Sequence, residues 1–535
     1  MKSLIILFAD HFSSFGFENS FDGKSAFDKT LEWAKNVKTA SEIEVYCFED
    51  NKELVQKHLE KGISVKAKGS WTNEILFSEM AASLKKSNCE YVIFSFAFNP
   101  FINQTLTTNL IDTHEKFKSE YSFADGYPVS VSPELLDRGL VNILSELIKT
   151  KDDLKQQTVT KSSVFDLIKT DINSFEIETE ISTTDWRLYR FDFSCDKKEN
   201  YIACVNLYEK IKKLCDEDRA DIQKICGAAR DDVKVLKTIP GYFNIQIETE
   251  YQSKNPYCPY YKFSGPEEKM SFEKFKCLLE KINELNPDSV VSLSLWGDPV
   301  LHPQFFDFVK EVIKYPGLTC LIETDGFKFL ENDISSDNSD IIKNLKALSE
   351  CVQNAGLRKN GFAPVLWLIN VDAMTQQTYE KLHPQMKLEY AVNTVKVLNS
   401  LFNGNVYAQY LRITENEGEL EAFYRAYKEK DYISGGKFII QKYDHFCKVM
   451  PEVKSADLAP IERNPCWHLR RDFNILADGK VPVCRDKSFE NPCGNAFEED
   501  LSAIFDRNNT ILQTHIDKKL CEGCLSCDEY YTYNF

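Results

Sequence analysis

The chain has 535 residues, 43% of them apolar and 27% charged, with a formal net charge of −17. That length sets an expectation of three or four soluble domains, and the acidic balance excludes a phosphate backbone as the main partner, since nucleic-acid binders present a basic face. Seventeen cysteines, an odd number spread through a large chain, suit a reducing cytoplasm better than a disulfide framework.

The opening run Met1 to Ala9 stops at Asp10-His11 without a small-residue cleavage site, so it reads as a buried first strand rather than a secretory leader. No segment approaches the length needed to cross a membrane. Strands are expected at 4–9, 44–47 and 91–96, with an amphipathic helix around 26–37. This alternation predicts an α/β layered domain over 1–230. Within it, Gly23-Lys24-Ser25-Ala26-Phe27 and Asn99-Pro100-Phe101-Ile102 resemble segments of sugar-nucleotide and cytidylyl transferases, and Thr184-Asp185 with a helix from about Asn200 resembles the way such domains finish. The resemblance implies a nucleotidyltransferase-like α/β sandwich and makes nucleotidyl transfer one alternative function. The residues argue against an active enzyme. A triphosphate needs glycine amides and positive charge around it, whereas Asp10 to Gly16 holds one glycine and no lysine or arginine, and residues 94–98 lack the metal-binding aspartate. Cysteines 195, 204, 215 and 226 lack metal-ligand spacing and are expected in the core.

From about Val233 the pattern changes. A strand over 242–249 leads to Tyr251, Asn255 and Cys258-Pro259, and further strands at 290–295, 319–322 and 365–371 alternate with helices, as in a partial parallel (β/α) barrel. Their ends carry Trp296-Gly297-Asp298-Pro299 with His302-Pro303, then Glu323-Thr324-Asp325-Gly326, then Asp372, and then Tyr407 to Arg412 with Asn416. In this order the motifs resemble the radical S-adenosylmethionine (SAM) family, whose first strand is followed by three cysteines spaced C-x3-C-x2-C. Aligned on Cys258, the other two positions fall on Tyr251 and Asn255, so two of the three thiolates are missing. A phenol and a carboxamide are poor ligands for an iron–sulfur cluster. The resemblance implies a vestigial SAM pocket at Cys258, Gly297, Asp298, Thr324 and Asp372. The plainer readings are that Cys258 is a small buried residue, that Cys277 faces the core of its own helix, and that Asp298 is turn chemistry. His302 and His383, each followed by proline, read as turn or packing residues.

Near the C-terminus, Cys466 and Cys484 bracket a hairpin expected from 472–476 and 480–484 through Asp478-Gly479. Cys493, a helix over 501–505, and the run Cys521-Glu-Gly-Cys524-Leu-Ser-Cys527 follow. Paired thiols of this kind are the layout of a metal site, and spacing alone leaves iron–sulfur, zinc and coincidence open. The layout resembles the SPASM/twitch extension of radical SAM proteins. It implies one auxiliary 4Fe–4S cluster on Cys466, Cys484, Cys521 and Cys524, with Cys527 a further candidate, Cys493 spare, and zinc as the alternative metal.

The whole order, with domains at 1–230, 231–455 and 456–535, resembles the spiro-SPASM proteins. The resemblance implies an iron–sulfur protein that has lost SAM cleavage and acts in binding, assembly or electron relay, with a peptide or protein partner and with SAM as a candidate ligand. The alternative it implies is an active radical SAM enzyme that modifies a peptide or small metabolite through an unconventional first cluster.

Overall fold

Strand β1 (Ser3–Ala9) is buried along its whole length and is an interior strand, third from one edge, of a seven-stranded sheet. With β2 (Ala40–Phe48), β3 (Ser64–Lys68), β4 (Tyr91–Phe96), β5 (Tyr121–Asp125), β6 (Glu134–Asp137) and β7 (Ile177–Ile181), the spatial order is β3-β2-β1-β4-β6-β5-β7. All neighbours are parallel except β6, which runs antiparallel to both β4 and β5. The computed structural model describes every residue except 11–13, 264–267, 328–339, 359–361, 457–458, 461, 488–491 and 533–535. Contacts divide the chain into two compact units, 1–238 and 239–535. Among the described residues no helix is long and apolar enough to cross a membrane.

In the first unit the helix α1 (Ala26–Asn36) starts where the transferase-like segment was read. Asp22 and Gly23, with φ of 51° and 79°, make the turn, and Ser25 closes a capping box with Asp28. Ser25 Oγ accepts from the Asp28 N–H at 3.1 Å and Asp28 Oδ2 accepts from the Ser25 N–H at 2.8 Å. Ser25→Ala is therefore expected to cost about 1 kcal/mol in chemical denaturation. A wild-type unfolding midpoint would remove that assignment. Beyond β1, residues 11–13 of the expected phosphate loop lie outside the described residues, and the rest of that loop is packed with rings. Phe17 lies 5.1 Å from Phe98 and 5.2 Å from Phe27, centroid to centroid, and a Cβ on Gly16 would come within 2.3 Å of the Phe98 ring. Cys195, Cys204 and Cys226 are buried as expected, but Cys215, ahead of a short acidic helix, is exposed.

The second unit is built on strands β8 (Tyr242–Ile245), β9 (Val290–Ser292), β10 (Thr319–Thr324), β11 (Val365–Asn370), β12 (Val406–Arg412), β13 (Phe438–Lys442) and β14 (Asp472–Ile475). Their order is β13-β12-β11-β10-β9-β8-β14, with every pair parallel. The two-residue alternation of a strand sorts the side chains. Cys320, Ile322, Trp367 and Ile369 join the layer under the helices, while Leu321, Leu366 and Leu368 pack with Val290 on the opposite face. The helices Phe272–Leu285, Phe305–Ile313 and Leu388–Phe402 cover the outer layer with Phe275, Phe308, Val395 and Leu398. Loops past the carboxyl ends of parallel strands are where such folds place their sites.

Two expectations are corrected here. The hairpin does not form as a ladder. Asp478-Gly479 makes the turn, with Gly479 at φ 89° and one bond from Leu476 N–H to Lys480 O, but the flanking strands then part. β14 is taken by β8, from Asp472 opposite Tyr242 to Ile475 opposite Ile245, whereas β15 (Lys480–Val481) pairs antiparallel with β16 (Gly494–Asn495). Cys277 lies on its helix but is exposed, not turned into the core.

Candidate metal centre

Six thiols line one cavity of about 250 Å³: Cys447, Cys466, Cys484, Cys521, Cys524 and Cys527. Each is placed by a turn or a short element. Cys466 precedes the helix Trp467–Arg471 that delivers β14, Cys484 follows β15, and Cys521 and Cys527 flank the helix Glu522–Ser526 that carries Cys524. All five cysteines assigned or considered from the sequence are thus brought together. Cys493 is not, and its thiol lies 2.9 Å from Asn508 Oδ1. Cys447 is the residue that sequence reasoning missed, because it stands apart from the paired cysteines and carries no spacing signal.

The electrostatics of the cavity fit a cation. Burial pushes the Cys466 and Cys484 thiols up, and the negative charge of neighbouring thiolates and of Asp486 pushes Cys484 further. Gathering these groups as thiolates would need positive charge between them. Cys527 moves the opposite way, because the Cys447 thiol donates to it and the Glu529 N–H donates to its Sγ at 3.4 Å. His515, also on the wall, is buried with neither ring nitrogen hydrogen-bonded. Burial, with the nearby Arg463 charge, pushes its pKa down to about 4, so the ring is neutral and available to a partner inside the cavity. A thiol-rich, roomy cavity with an orphaned neutral imidazole fits an iron–sulfur cluster.

Cys447 reaches this cavity through an unusual backbone turn. Phe446, Cys447 and Lys448 all have left-handed φ, at 52°, 53° and 68°. A run of three such non-glycine residues costs roughly 1–2 kcal/mol each. It is held by Asp444 Oδ1, which accepts from the Phe446 N–H at 2.7 Å, and by His445 Nδ1, which accepts from the Lys448 N–H at 3.2 Å. The Phe446 ring anchors the turn against Trp296 and Phe263.

At the mouth of the barrel, Tyr251 and Asn255, the two positions aligned with cysteines in the sequence reading, are engaged in contacts of their own. The Tyr251 hydroxyl donates to Asp325 Oδ1 at 2.8 Å, and its ring stacks on Tyr260 with centroids 3.6 Å apart. Asn255 is buried and its Oδ1 accepts from the Tyr257 N–H. Cys258 is half-buried rather than enclosed in the core, and it is the one thiol among the described residues lining a cavity of about 120 Å³. Of the five residues read as a SAM pocket, Cys258 and Asp372 line this cavity, while Gly297, Asp298 and Thr324 lie behind it. Asp298 Oδ2 accepts from Gln252 Nε2 at 2.7 Å and from Thr324 Oγ1 at 3.0 Å. Burial and the nearby Asp325 charge push its pKa up to about 7.

His383 sits under these acids, buried, with Nε2 at 2.7 Å from Asp372 Oδ2 and Nδ1 at 3.6 Å from Asp325 Oδ1. Burial alone would lower its pKa, but the two carboxylates outweigh burial and raise it to about 10. The expected packing histidine is therefore an imidazolium counter-ion. Arg485, His468 and Asp472 line both this cavity and the cysteine cavity, so the two share a wall. Arg485 is fixed there by Asp444 at 2.8 Å and Asp486 at 3.2 Å, and its carbonyl accepts from the Trp296 indole at 3.2 Å.

Comparison with known proteins adds two sequence matches. Residues 466–528 match the SPASM family model, described as an iron–sulfur cluster-binding domain. An uncharacterized protein of Treponema pallidum (strain Nichols) is 36% identical over 385 residues, which cover 70% of this chain and 99% of that one. Among solved structures, Streptococcus suis SuiB bound to precursor peptide SuiA is 13% identical, with a TM-score of 0.36 over 69% of this chain and 82% of that one. A cytidylyltransferase from Leptospira borgpetersenii is 14% identical, with a TM-score of 0.35 over 44% of this chain and 97% of that one. The chain therefore belongs to one family with the treponemal protein, and its residues 466–528 form a SPASM iron–sulfur cluster-binding domain.

Proposed function

We propose that this chain is a cytoplasmic iron–sulfur protein that holds one 4Fe–4S cluster on Cys466, Cys484, Cys521 and Cys524 and has lost the cluster that cleaves SAM. The observation that carries the reading is Tyr251, which stands where a first thiolate is needed and is committed to Asp325 and Tyr260. The cavity of about 120 Å³ beside it supports the same reading, being well below the ~300 Å³ typical of small-molecule sites. The protein acts in binding, assembly or electron relay. Relay is supported by the shared wall, which sets a cluster in the cysteine cavity one layer of side chains from the barrel mouth. A peptide or protein is the partner class, and the net charge of −17 disfavours nucleic acid.

The test is iron and acid-labile sulfide per chain after anaerobic purification and reconstitution. About four irons with matching sulfide are expected, lost in a Cys521→Ser/Cys524→Ser double variant and retained in Cys258→Ser. About eight irons, half of them lost with Cys258, would overturn the reading and favour an active radical SAM enzyme. Formation of 5′-deoxyadenosine from SAM would then be the assay of choice. Zinc in place of iron would reduce the cysteine cavity to a structural site.

A further inference from the structure

The cluster assignment leaves Cys447, Cys527 and Asp486 unused, yet these three are the most tightly gathered ligands in the cavity. Their ligand atoms all lie within 4.8 Å of one another, and Cys527 Sγ is 4.0 Å from Asp486 Oδ2. A single tetrahedral ion, with bonds of about 2.3 Å to sulfur and 2.0–2.2 Å to oxygen, separates its ligand atoms by roughly 3.6–3.8 Å. Thiolates bound to different irons of a cluster stand further apart. Among the described residues, Cys466, Cys484, Cys521 and Cys524 form no group at single-ion separation. Two geometries therefore share one cavity.

We propose that Cys447, Cys527 and Asp486 form a second, mononuclear site for zinc or a similar thiophilic divalent cation, beside the cluster cysteines and with its fourth position open to the cavity. Three protein ligands plus one open position is the pattern of a zinc site that takes water or an incoming ligand, rather than of a closed structural one. The surrounding bonds orient each ligand. Arg485 Nε engages Asp486 Oδ1, which leaves Oδ2 directed at the thiols. The Glu529 N–H donates to Cys527 Sγ, as a partner that fixes a metal-bound thiolate does. Ser526 Oγ donates to the Cys447 carbonyl at 3.5 Å and ties the left-handed turn to the helix that presents Cys527.

A neighbouring group shows what a filled alternative looks like. Asp444, His445 and Asp528 are gathered just as closely, but Lys442 lies 2.9 Å from Asp528, Lys454 also contacts it, and Arg485 lies 2.8 Å from Asp444. Side-chain cations already occupy that group. Cys447 also lies outside residues 466–528, so the domain match does not include it.

The site does not depend on the cluster, and the two are read separately. The full chain is reconstituted anaerobically with iron and sulfide, equilibrated with zinc, freed of excess, and assayed for iron, sulfide and zinc. About one zinc per chain is expected beyond the iron. Cys447→Ser and the near-isosteric Asp486→Asn should each lose that equivalent while keeping iron and sulfide, and Cys521→Ser should lose iron. Cobalt(II) in place of zinc should give a thiolate-to-cobalt charge-transfer band that is absent in Cys447→Ser. A wild-type chain that retains no zinc, zinc that survives both Cys447→Ser and Asp486→Asn, or iron lost with Cys447 would each overturn the proposal. The last result would make Cys447 a cluster ligand instead.

Discussion

Replacing His383 with leucine is expected to destabilise the barrel unit by about 3–5 kcal/mol near neutral pH, because it removes one partner from a buried charge network. The carboxylates of Asp325 and Asp372 face this imidazole from two different strand ends, and Asp298 and Glu323 lie close by, all four largely enclosed. His383 holds Asp325 below the usual carboxylate range even though burial pushes it up. Leucine fills a similar volume but leaves that negative charge without a counter-ion. The pH dependence carries a sign. A histidine raised to about 10 stabilises fully below its ordinary value near 6.5, and the contribution fades as pH climbs through 10. The gap between wild type and variant should therefore be widest from about pH 4 to about pH 6.5 and should narrow steadily above that. It should close in strong acid, where the carboxyls protonate, and again above pH 10, where the wild-type imidazole loses its proton. Urea unfolding at several pH values measures this directly. A cost below about 1 kcal/mol at pH 7, or a gap that does not vary with pH, would mean that the acids find another counter-ion.

The second large effect is steric. A Cβ on Gly297 would lie 1.8 Å from the Glu248 carbonyl oxygen and 2.6 Å from its carbon, and both are backbone atoms that cannot rotate away. The two loops are laced together at this point. The Asp298 N–H donates to Glu250 O at 2.8 Å, and Glu248, buried, accepts from the Thr249 N–H and pairs with Lys269 at 2.5 Å. Gly297→Ala must push the end of the β8 loop off the β9 loop. It should cost about 3 kcal/mol or more, the upper range for overpacking, and should lower the melting temperature by roughly 6 °C or more. Gly418→Ala is the control, since it is exposed with nothing within 4 Å of its would-be Cβ and no left-handed φ. Equal melting shifts in the two variants would show that the loops yield. The glycine of the Trp296-Gly297-Asp298 motif therefore has a packing role here, whether or not any ligand binds nearby.

Much of the fold is legible because its strongest signals are local. β4 spans Tyr91–Phe96 as expected, β1 and β10 differ by a residue or two at their ends, and Ser25 marks the start of α1. The strand expected over 242–249 ends at Ile245. Beyond it only isolated bridges, Gln246 to Ser294 and Glu248 to Lys269, continue the pairing, because the chain bends over the loop that carries Gly297. The hairpin failed for a related reason. Asp478-Gly479 encodes a turn, and the turn is present, but partner choice depends on the edge that β8 offers, which no window around residue 478 contains. Cys466, Cys484, Cys521 and Cys524 could be found because their sequence layout is distinctive. Cys447 and Asp486 could not, since only a left-handed turn and the fold of the tail bring them to Cys527.

The parallel pairing of β14 with β8 also sets a timetable. Asn244 and Asn474, whose side chains meet across that pair, are 230 residues apart. A ribosome adding ~5–20 residues per second needs roughly 10–50 s to make that stretch. For that interval the nascent chain carries β8 with one edge unpaired, and such an edge is a template for pairing with another chain. A premature stop anywhere before β14 leaves the edge open for good. Truncated products should therefore aggregate or recruit holdase chaperones, including those cut just short of β14, in which every barrel helix has been made.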